Sequence, residues 1–295
     1  MSFLDVKTDF AFKKVFGSDQ SKDILIDFLN SVIIFPENTY IEDLTIVDPY
    51  NIPLLKGMKD TYVDVKAKLE NGTTVIIEMQ VLNYEGFEKR ILYNAAKNYS
   101  TQLMKGEEYQ LLNPVIALTI TDFNMFDFDN IISYFRLLEK TKFVEYSGGD
   151  IELIFIELPK FIKTEEELVN ISDKWIYFLK NAGRLEYIPK SLEIDKNIKK
   201  AFEIANEARL TPEELEMQHK RKDFIYIQKN ALIYAEKKAM QKGLNEGFKE
   251  GIEKGKAIGL EEGTKNIARN MLKIGFSIKQ ITEATGLKEE EICDS

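Results

Sequence analysis

Residues 63–81 contain two runs of alternating apolar and polar residues on either side of Asn71-Gly72, and this pattern constrains the fold more than any other part of the chain. In the first run every second residue from Asp64 to Lys68 is polar, which places these side chains on one face of a strand. The second run alternates in the same way and contains Glu78. The sequence therefore predicts two antiparallel strands joined by a tight turn.

The length of that turn decides which residues of the two strands face each other. A two-residue Asn71-Gly72 turn would set Asp64 opposite Met79, away from Glu78. A three-residue turn, Glu70-Asn71-Gly72, whose glycine takes the left-handed conformation, sets Asp64 opposite Glu78. We predict the three-residue turn. Directly opposed residues have Cβ atoms roughly 4.5–5.5 Å apart, so both carboxylates could reach one cation.

Asp64 and Glu78 are candidate metal ligands, because two carboxylates with waters and substrate phosphates form the usual environment of Mg²⁺. Such an ion could activate water and neutralise an attacked phosphodiester. The alternative is that both are ordinary solvated charges on the exposed face of a hairpin. Against this alternative, the continuous apolar run Val75-Ile76-Ile77 predicts a strand covered on both faces and a partly buried Glu78. A buried carboxylate requires a partner or a metal ion.

Asp64 and Glu78-Met79-Gln80 resemble the D…(D/E)-x-K core of the PD-(D/E)XK nuclease superfamily. The chain is similar, more narrowly, to the recombination-promoting nuclease and putative transposase group of that superfamily. The resemblance covers about the first 180 residues and, more loosely, the C-terminal tail. It rests on four features in this order: Lys7 to Gly17, the Asp64 and Glu78-x-Gln80 core, Arg90-Ile91-Leu92-Tyr93 with Tyr99 and Gln102, and Ile156 to Phe161.

The resemblance implies an α/β fold with a restriction-endonuclease-like core, in which helices flank a mixed sheet, and an α-helical C-terminal extension. It implies a DNA endonuclease that depends on Mg²⁺, with Mn²⁺ as an alternative metal, and whose DNA breakage serves recombination or a transposon-associated function. Asp64 and Glu78 would bind the metal with the Met79 carbonyl, and Gln80 would orient the attacking water. Asp9 would be an outer metal ligand, or else a carboxylate favoured at a helix start by the macrodipole.

Gln80 departs from the superfamily pattern, because it stands where the usual lysine would be. Glutamine can hold a water molecule but cannot supply a positive charge or exchange a proton. Lys66, Lys97 or Arg90 could supply the missing cation, and the sequence does not distinguish among them. Arg90, Asn94 and Lys97 are spaced to share one face of a helix. That face either contacts substrate phosphates or is a solvated flank.

Composition limits the remaining chemistries. The formal net charge of −9 argues against strong constitutive binding to nucleic acid and predicts weak, salt-sensitive contacts. The single cysteine, Cys293, excludes an intramolecular disulfide, and with the single histidine, His219, it excludes a Cys/His zinc site. The N-terminus lacks the apolar core of a signal peptide, and no run approaches the ~20 apolar residues of a membrane span. We therefore expect a cytoplasmic protein without a membrane partner.

We predict three regions: a nuclease-like domain over 1–185, a charged helical extension over 186–264 and a short helical pair over 265–295. Glycine recurs at every fourth position from Gly243 to Gly263, which indicates either a homo-oligomer formed through closely packed helices or a low-complexity tether. The last region resembles half of a helix-turn-helix. Because it presents Glu289-Glu290-Glu291 rather than basic or amide side chains, we predict that it contacts protein.

The second candidate function, beside a nuclease that acts on DNA, is a nucleic-acid-binding or assembly protein with a weak or inactive nuclease site. The missing lysine, the acidic charge and the glycine-striped tail support it. Periodicity and capping residues also predict the main elements around the hairpin. The predicted helices cover 19–33, 85–105 and a segment that starts at Thr164 with Glu167 as its capping partner, and the predicted strands cover 44–47, 114–121, 131–137, 143–146 and 151–158.

Overall fold

The computed structural model describes residues 2–37, 39–51, 61–146 and 148–293, without the side chains of Asn51 and Cys293. A six-stranded mixed sheet flanked by helices forms its centre, which confirms the predicted α/β class. The strands are β1 Leu44–Val47, β2 Tyr50–Asn51, β3 Thr61–Tyr62, β4 Val65–Leu69, β5 Thr74–Gln80, β6 Val115–Thr121, β7 Ile132–Phe135 and β8 Ile151–Glu157. The α-helices are α1 Asp9–Phe16, α2 Lys22–Val32, α3 Phe87–Ser100, α4 Ile171–Asn181, α5 Lys190–Glu193, α6 Lys196–Ile204, α7 Pro212–Lys273, α8 Ile278–Thr285 and α9 Glu289–Cys293.

The strand order in the large sheet is β1-β4-β5-β6-β8-β7. The central strands β5, β6 and β8 are parallel, whereas β4 pairs antiparallel with both β1 and β5, and β7 pairs antiparallel with β8. Every residue of β5 from Thr74 to Met79 is buried, as the continuous apolar run predicts. Two-sided burial follows from the helices that cover both faces of this part of the sheet.

The two faces of the sheet carry separate apolar clusters. On one face Val75 and Ile77 of β5 join a large core with residues of α1, α2, α4 and α6. Trp175 of α4 lies at the centre of that core and donates a hydrogen bond of 2.7 Å from Nε1 to Oδ2 of Asp27. On the other face Ile76 packs in a smaller cluster under α3. Because side chains alternate along β5, neighbouring residues pack in different clusters. Polar residues of β5 that point to the same face as Ile76 lie on the α3 side.

Three predicted elements need correction. Residues 143–146 are not a strand: Phe143 adopts a positive φ of 54°, which turns the chain, and within the described residues this segment forms one isolated bridge, Leu138–Glu145. The predicted capping pair of Thr164 and Glu167 is present, but it starts one 3₁₀ turn, and α4 begins later at a second cap, Asn170. The predicted helix over 85–105 is shorter, because Gly86 at φ 84° defines its start and it ends at Ser100.

The chain divides into two compact units, Met1–Gln228 and Lys229–Ser295. In the second unit the end of α7 packs with α8 and α9 around three buried residues, Ala268, Ile281 and Ile292. The glycine-striped segment is helical and lies within α7. The predicted bounds of the three regions stay a prediction. Within the described ranges, no helix combines the length and the apolar character needed to span a membrane.

Candidate active site

The hairpin of β4 and β5 has the predicted turn and register. Gly72 has a φ of 87°, and its N–H donates to the Leu69 carbonyl over 3.0 Å. The Leu69 N–H donates to the Thr73 carbonyl over 2.9 Å, and the ladder then pairs Val65 with Ile77. The ladder ends there: the Asp64 N–H also donates to the Ile77 carbonyl, over 3.0 Å, so Asp64 and Val65 both lie against Ile77 and the predicted pairing of Asp64 with Glu78 is not part of the ladder. The three-residue turn and the register from Val65 to Leu69 are confirmed.

Asp64 lies at a break in the strand, where the sequence predicted an uninterrupted run. Strand β3 ends at Tyr62 and β4 begins at Val65, so Asp64 stands immediately before β4. Its N–H still donates to the Ile77 carbonyl over 3.0 Å, and its Oδ2 accepts the Met79 N–H over 2.9 Å. The Asp64 carboxylate thus accepts a β5 N–H that a backbone carbonyl of the neighbouring strand would otherwise accept. This contact orients the carboxylate toward the end of β5.

Glu78 is the only acidic residue of β5, and its side chain lies on the α3 side of the sheet, in phase with Ile76. It is 8% exposed, which confirms the predicted burial. The Arg90 guanidinium, projecting from the first turns of α3, contacts its Oε1. Because a buried carboxylate is unstable without a partner, Arg90 compensates the charge of Glu78.

Lys13 is the site cation that sequence reasoning missed. Its Nζ lies 3.4 Å from Oδ1 of Asp64. Helix α1 buries Phe12 and Phe16 in the core, and the amphipathic pattern turns Lys13 away from them toward Asp64. A signal was present in the sequence, because Lys13 follows Asp9 by four residues, and residues four apart share one helix face.

Burial raises the pKa of the Asp64 carboxyl above its ordinary value. The Met79 N–H and the Lys13 ammonium oppose this increase by stabilising the charge, and the carboxylate of Asp9 adds to it. Burial prevails, so these two partners do not fully compensate the negative charge. A divalent cation would provide the missing compensation, because it favours the ionised carboxylate.

The Met79 carbonyl is on the side of β5 that faces Asp64. The Ile77 carbonyl bonds Asp64 and the Gln80 carbonyl accepts the Asp122 N–H from the β6 side, and successive carbonyls of a strand point in opposite directions. Met79 thus directs its oxygen to the same side as Ile77. Two carboxylates and a backbone carbonyl are hard oxygen donors of the kind that Mg²⁺ or Mn²⁺ accepts, so these residues fit such an ion.

The remaining predicted site residues occupy different environments. Gln80 ends β5, and its Nε2 donates to the Leu82 carbonyl over 2.7 Å. Asp9 begins α1, and its Oδ1 lies 2.9 Å from Nε of Arg221. In the part of the chain that the structure describes, no three acidic, histidine or cysteine side chains form a metal-ligating group. Asp9 therefore does not complete a three-carboxylate cluster here, and its metal role stays a prediction.

The three cations predicted to contact substrate differ in exposure. Arg90 is partly exposed and touches the site directly. Lys66 is on β4, and burial and the neighbouring Lys68 lower its pKa. Lys97 is only 5% exposed. The sequence could not distinguish among these three candidates for the missing positive charge. The structure shows a contact with a site carboxylate for Arg90, which pairs with Glu78.

A mixed sheet with one carboxylate just before β4 and a second, buried one near the end of β5 is consistent with the PD-(D/E)XK nuclease fold. Residues 6–235 match the family model described as "PD-(D/E)XK nuclease family transposase", and the chain therefore belongs to that family. PD-(D/E)XK nucleases typically use divalent metal ions. No curated protein and no solved structure shows a significant match to the chain.

Residues 261–294 match a second family model, described as "Rpn/YhgA-like nuclease family, C-terminal HTH domain". The end of α7 together with α8 and α9 supplies three helices around one small core, so the segment is a whole helix-turn-helix domain where the sequence indicated half of one. Together the two matches imply a DNA-binding nuclease. The match favours DNA binding over the protein contact that the run of glutamates in α9 had suggested.

Proposed function

We propose that this protein is an endonuclease that hydrolyses phosphodiester bonds of DNA with Mg²⁺, or Mn²⁺ as an alternative, bound at Asp64 and Glu78. The observation that carries the proposal is the position of these two carboxylates at the end of β5, where Asp64 accepts the Met79 N–H and each carboxylate lies beside a cation. The family match supports a role in DNA breakage linked to recombination or transposition. A cytoplasmic location is part of the same proposal.

The roles of the residues follow from their positions. Asp64, Glu78 and the Met79 carbonyl would hold the ion. A bound divalent ion would supply a Lewis acid that activates water and neutralises charge on the phosphodiester. Gln80 would hold the attacking water through its carboxamide oxygen, because its Nε2 is used by the Leu82 carbonyl.

The cations around the carboxylates would position the substrate. Lys13 and Arg90 each contact one site carboxylate. The Lys13 ammonium and the Arg90 guanidinium would therefore each be able to bind an oxygen of a phosphate that coordinates the ion. Lys66 and Lys97 are proposed as further substrate contacts. Asp9 would support the site from the first turn of α1, where it raises the pKa of Asp64.

Gln80 supports a second candidate function, a nucleic-acid-binding or assembly protein whose nuclease site is weak or inactive. Its amide hydrogen-bonds a neighbouring backbone carbonyl, and it supplies no positive charge at the position of the usual lysine. DNA retention without cleavage in any divalent metal would favour this candidate.

The nuclease proposal is tested by incubating the full-length protein with supercoiled plasmid in Mg²⁺, in Mn²⁺ and in EDTA. We expect metal-dependent nicking by the wild type and its loss in Asp64→Ala and Glu78→Ala. Glu70→Ala, which removes an exposed carboxylate from the same hairpin, is the matched control and should nick normally. Nicking that persists in both site variants would contradict the proposal, as would a wild type that is inactive in every metal.

A further inference from the structure

A pocket of about 680 Å³ lies beside the candidate active site, between β3 and the first half of α3. Its volume falls within the range of roughly 300–1,000 Å³ that is usual for small-molecule sites. The walls include three tyrosines and two cations: Tyr62, Tyr84, Tyr93, Lys89 and Arg90. Arg90 belongs both to this pocket and to the ion pair with Glu78, so the pocket and the candidate metal site are adjacent.

Asn94 is the wall residue that most directly indicates a ligand. It is 1% exposed, and neither its Oδ1 nor its Nδ2 has a hydrogen-bond partner among the residues that the structure describes. A buried amide left without partners typically costs about 1–3 kcal/mol for each unsatisfied group. A side chain that offers one donor and one acceptor next to each other matches the edge of a planar heterocycle, as asparagine does when it pairs with adenine.

The tyrosines offer aromatic surfaces on which a planar ring could stack. Tyr62 and Tyr84 are 63% and 42% exposed, and Tyr93 is 39% exposed. The ring of Tyr62 is already stacked on Tyr50, with centroids 4.7 Å apart, and Arg90 lies 5.5 Å from the centroid of Tyr84. Exposed aromatic rings beside cations are the recurring surface for unstacked nucleobases and their phosphates.

We propose that this pocket binds one unstacked nucleotide of the DNA substrate, with its base between the tyrosines and against Asn94 and its phosphate toward Lys89. Glu85 also lines the pocket and would repel a phosphate, so the phosphate belongs beside the cations Lys89 and Arg90. The inference rests on the proposed nuclease function and adds a substrate class to it, namely DNA with an unpaired or displaced base. Because Arg90 connects the pocket to Glu78, a nucleotide held there brings its neighbouring phosphodiester to the metal site.

Fluorescence anisotropy of the full-length protein in EDTA tests the pocket without cleavage. The probes are a short paired duplex and the same duplex with one unpaired adenine, with free dAMP as a competitor. We expect the unpaired adenine to tighten binding by about tenfold, which is the scale of one base–aromatic stacking contact. Tyr93→Ala and Asn94→Leu should remove this advantage. Tyr93→Phe should keep it, and so should Tyr109→Ala, which removes a tyrosine that is 85% exposed and is not among the pocket residues.

Asn94→Leu has a second readout that a purely structural role would not give. Replacing an unpartnered buried amide with an apolar side chain should leave Tm unchanged or raise it, while the advantage for the unpaired adenine disappears. Equal binding of the two duplexes by the wild type, or an advantage retained in Tyr93→Ala, would overturn the inference. Binding of dAMP that is tighter than that of the unpaired duplex would also overturn it, because the ligand would then be a free nucleotide.

The plasmid assay separates failure of the pocket from failure of the proposed function. If the wild type nicks plasmid in Mn²⁺ but binds both duplexes equally, the pocket proposal is wrong and the nuclease proposal stands. If the wild type prefers the unpaired adenine but never nicks plasmid, the pocket proposal stands and the nuclease proposal is wrong.

Discussion

Asp64 carries a negative charge in a place where the fold alone does not fully stabilise it. The Met79 N–H and Lys13 favour the carboxylate, but burial outweighs them and raises its pKa. The charge of Glu78, near the end of β5, is compensated by Arg90. At the scale of single residues the site therefore consists of two carboxylates, each paired with a cationic side chain. A divalent ion could take the place of these cations or add to their stabilising effect. Two predictions follow from these charges.

Asp64→Asn should raise the Tm of the metal-free protein at neutral pH. Because burial raises the folded-state pKa of Asp64 above its ordinary value, the ionised carboxylate destabilises the fold, and stability falls as pH rises from the unfolded-state pKa through the folded-state pKa. Each unit of difference between the folded and unfolded pKa corresponds to about 1.4 kcal/mol. Thermal denaturation in EDTA should show a larger gain in mildly alkaline than in acidic buffer.

The control for that experiment is Asp43→Asn. The ion pair with Lys22 lowers the pKa of Asp43, so neutralising it should bring no gain in Tm. An Asp64→Asn variant that melts at or below the wild-type temperature at neutral pH would contradict the account of Asp64.

Arg90→Met should destabilise the metal-free protein, because it leaves the buried Glu78 without its guanidinium partner. Arg90 is about one-third exposed, so we expect a loss of about 1–2 kcal/mol rather than the 3–5 kcal/mol of a fully buried pair. Mg²⁺ should then raise the Tm of Arg90→Met more than that of the wild type, since the ion no longer competes with the guanidinium. Lys89→Met is the neighbouring control, and equal Mg²⁺ shifts in all three proteins would refute the competition.

At the scale of elements, the hairpin turn fixes which residues meet across β4 and β5. Gly72 combines a φ of 87° with a close approach to Asn113, whose Oδ1 would lie 2.3 Å from an added Cβ. A side chain there faces both an unfavourable backbone conformation and a clash. The register of β4 against β5 thus depends on this turn.

Gly72→Ala should lower the free energy of unfolding by about 1–3 kcal/mol, measured by urea denaturation. Gly106→Ala is the matched control, because Gly106 has a similar φ of 96° but no atom of the described residues within 4 Å of an added Cβ. It should cost less than Gly72→Ala. Equal losses would mean that the contact with Asn113 contributes nothing.

The glycine stripe of α7 permits a second test at this scale. A Cβ placed on any glycine from Gly243 to Gly263 would meet no described atom within 4 Å outside its own helix backbone. The double substitution Gly251→Ala and Gly255→Ala should therefore increase the helical signal in circular dichroism. The expected gain in helix stability is about 1 kcal/mol per substitution. If a second copy packs on the stripe, the added methyl groups should instead reduce the mass measured by light scattering.

The hairpin and the central strands were predictable because their signals are local. Alternation from Asp64 to Lys68, the left-handed requirement at Gly72 and the apolar run before Glu78 each act within a few residues. The missed features depend on tertiary contacts. Lys13 reaches Asp64 only after α1 docks on the sheet, and the break before β4 reflects the bond between the Asp64 carboxylate and the Met79 N–H. Phe143 turns the chain in a segment whose apolar pattern suggested a strand.

At the scale of the whole molecule, the chain joins a PD-(D/E)XK nuclease family match to a C-terminal helix-turn-helix match. Its formal net charge is −9, so contacts with DNA must be concentrated in local basic features rather than spread over the surface. Lys13 and Arg90 provide such a feature at the end of β5. The central claim is that Asp64 and Glu78 share one divalent ion at that position.

Binding of Mn²⁺ to the full-length protein, followed by electron paramagnetic resonance, tests this claim most directly. We expect one ion per chain in the wild type, and at least a tenfold loss of affinity in both Asp64→Asn and Glu78→Gln, on the scale of about 1.4 kcal/mol or more for a lost ligand. Glu70→Gln, in the exposed turn of the same hairpin, should bind like the wild type. Unchanged Mn²⁺ affinity in either site variant would contradict a shared ion.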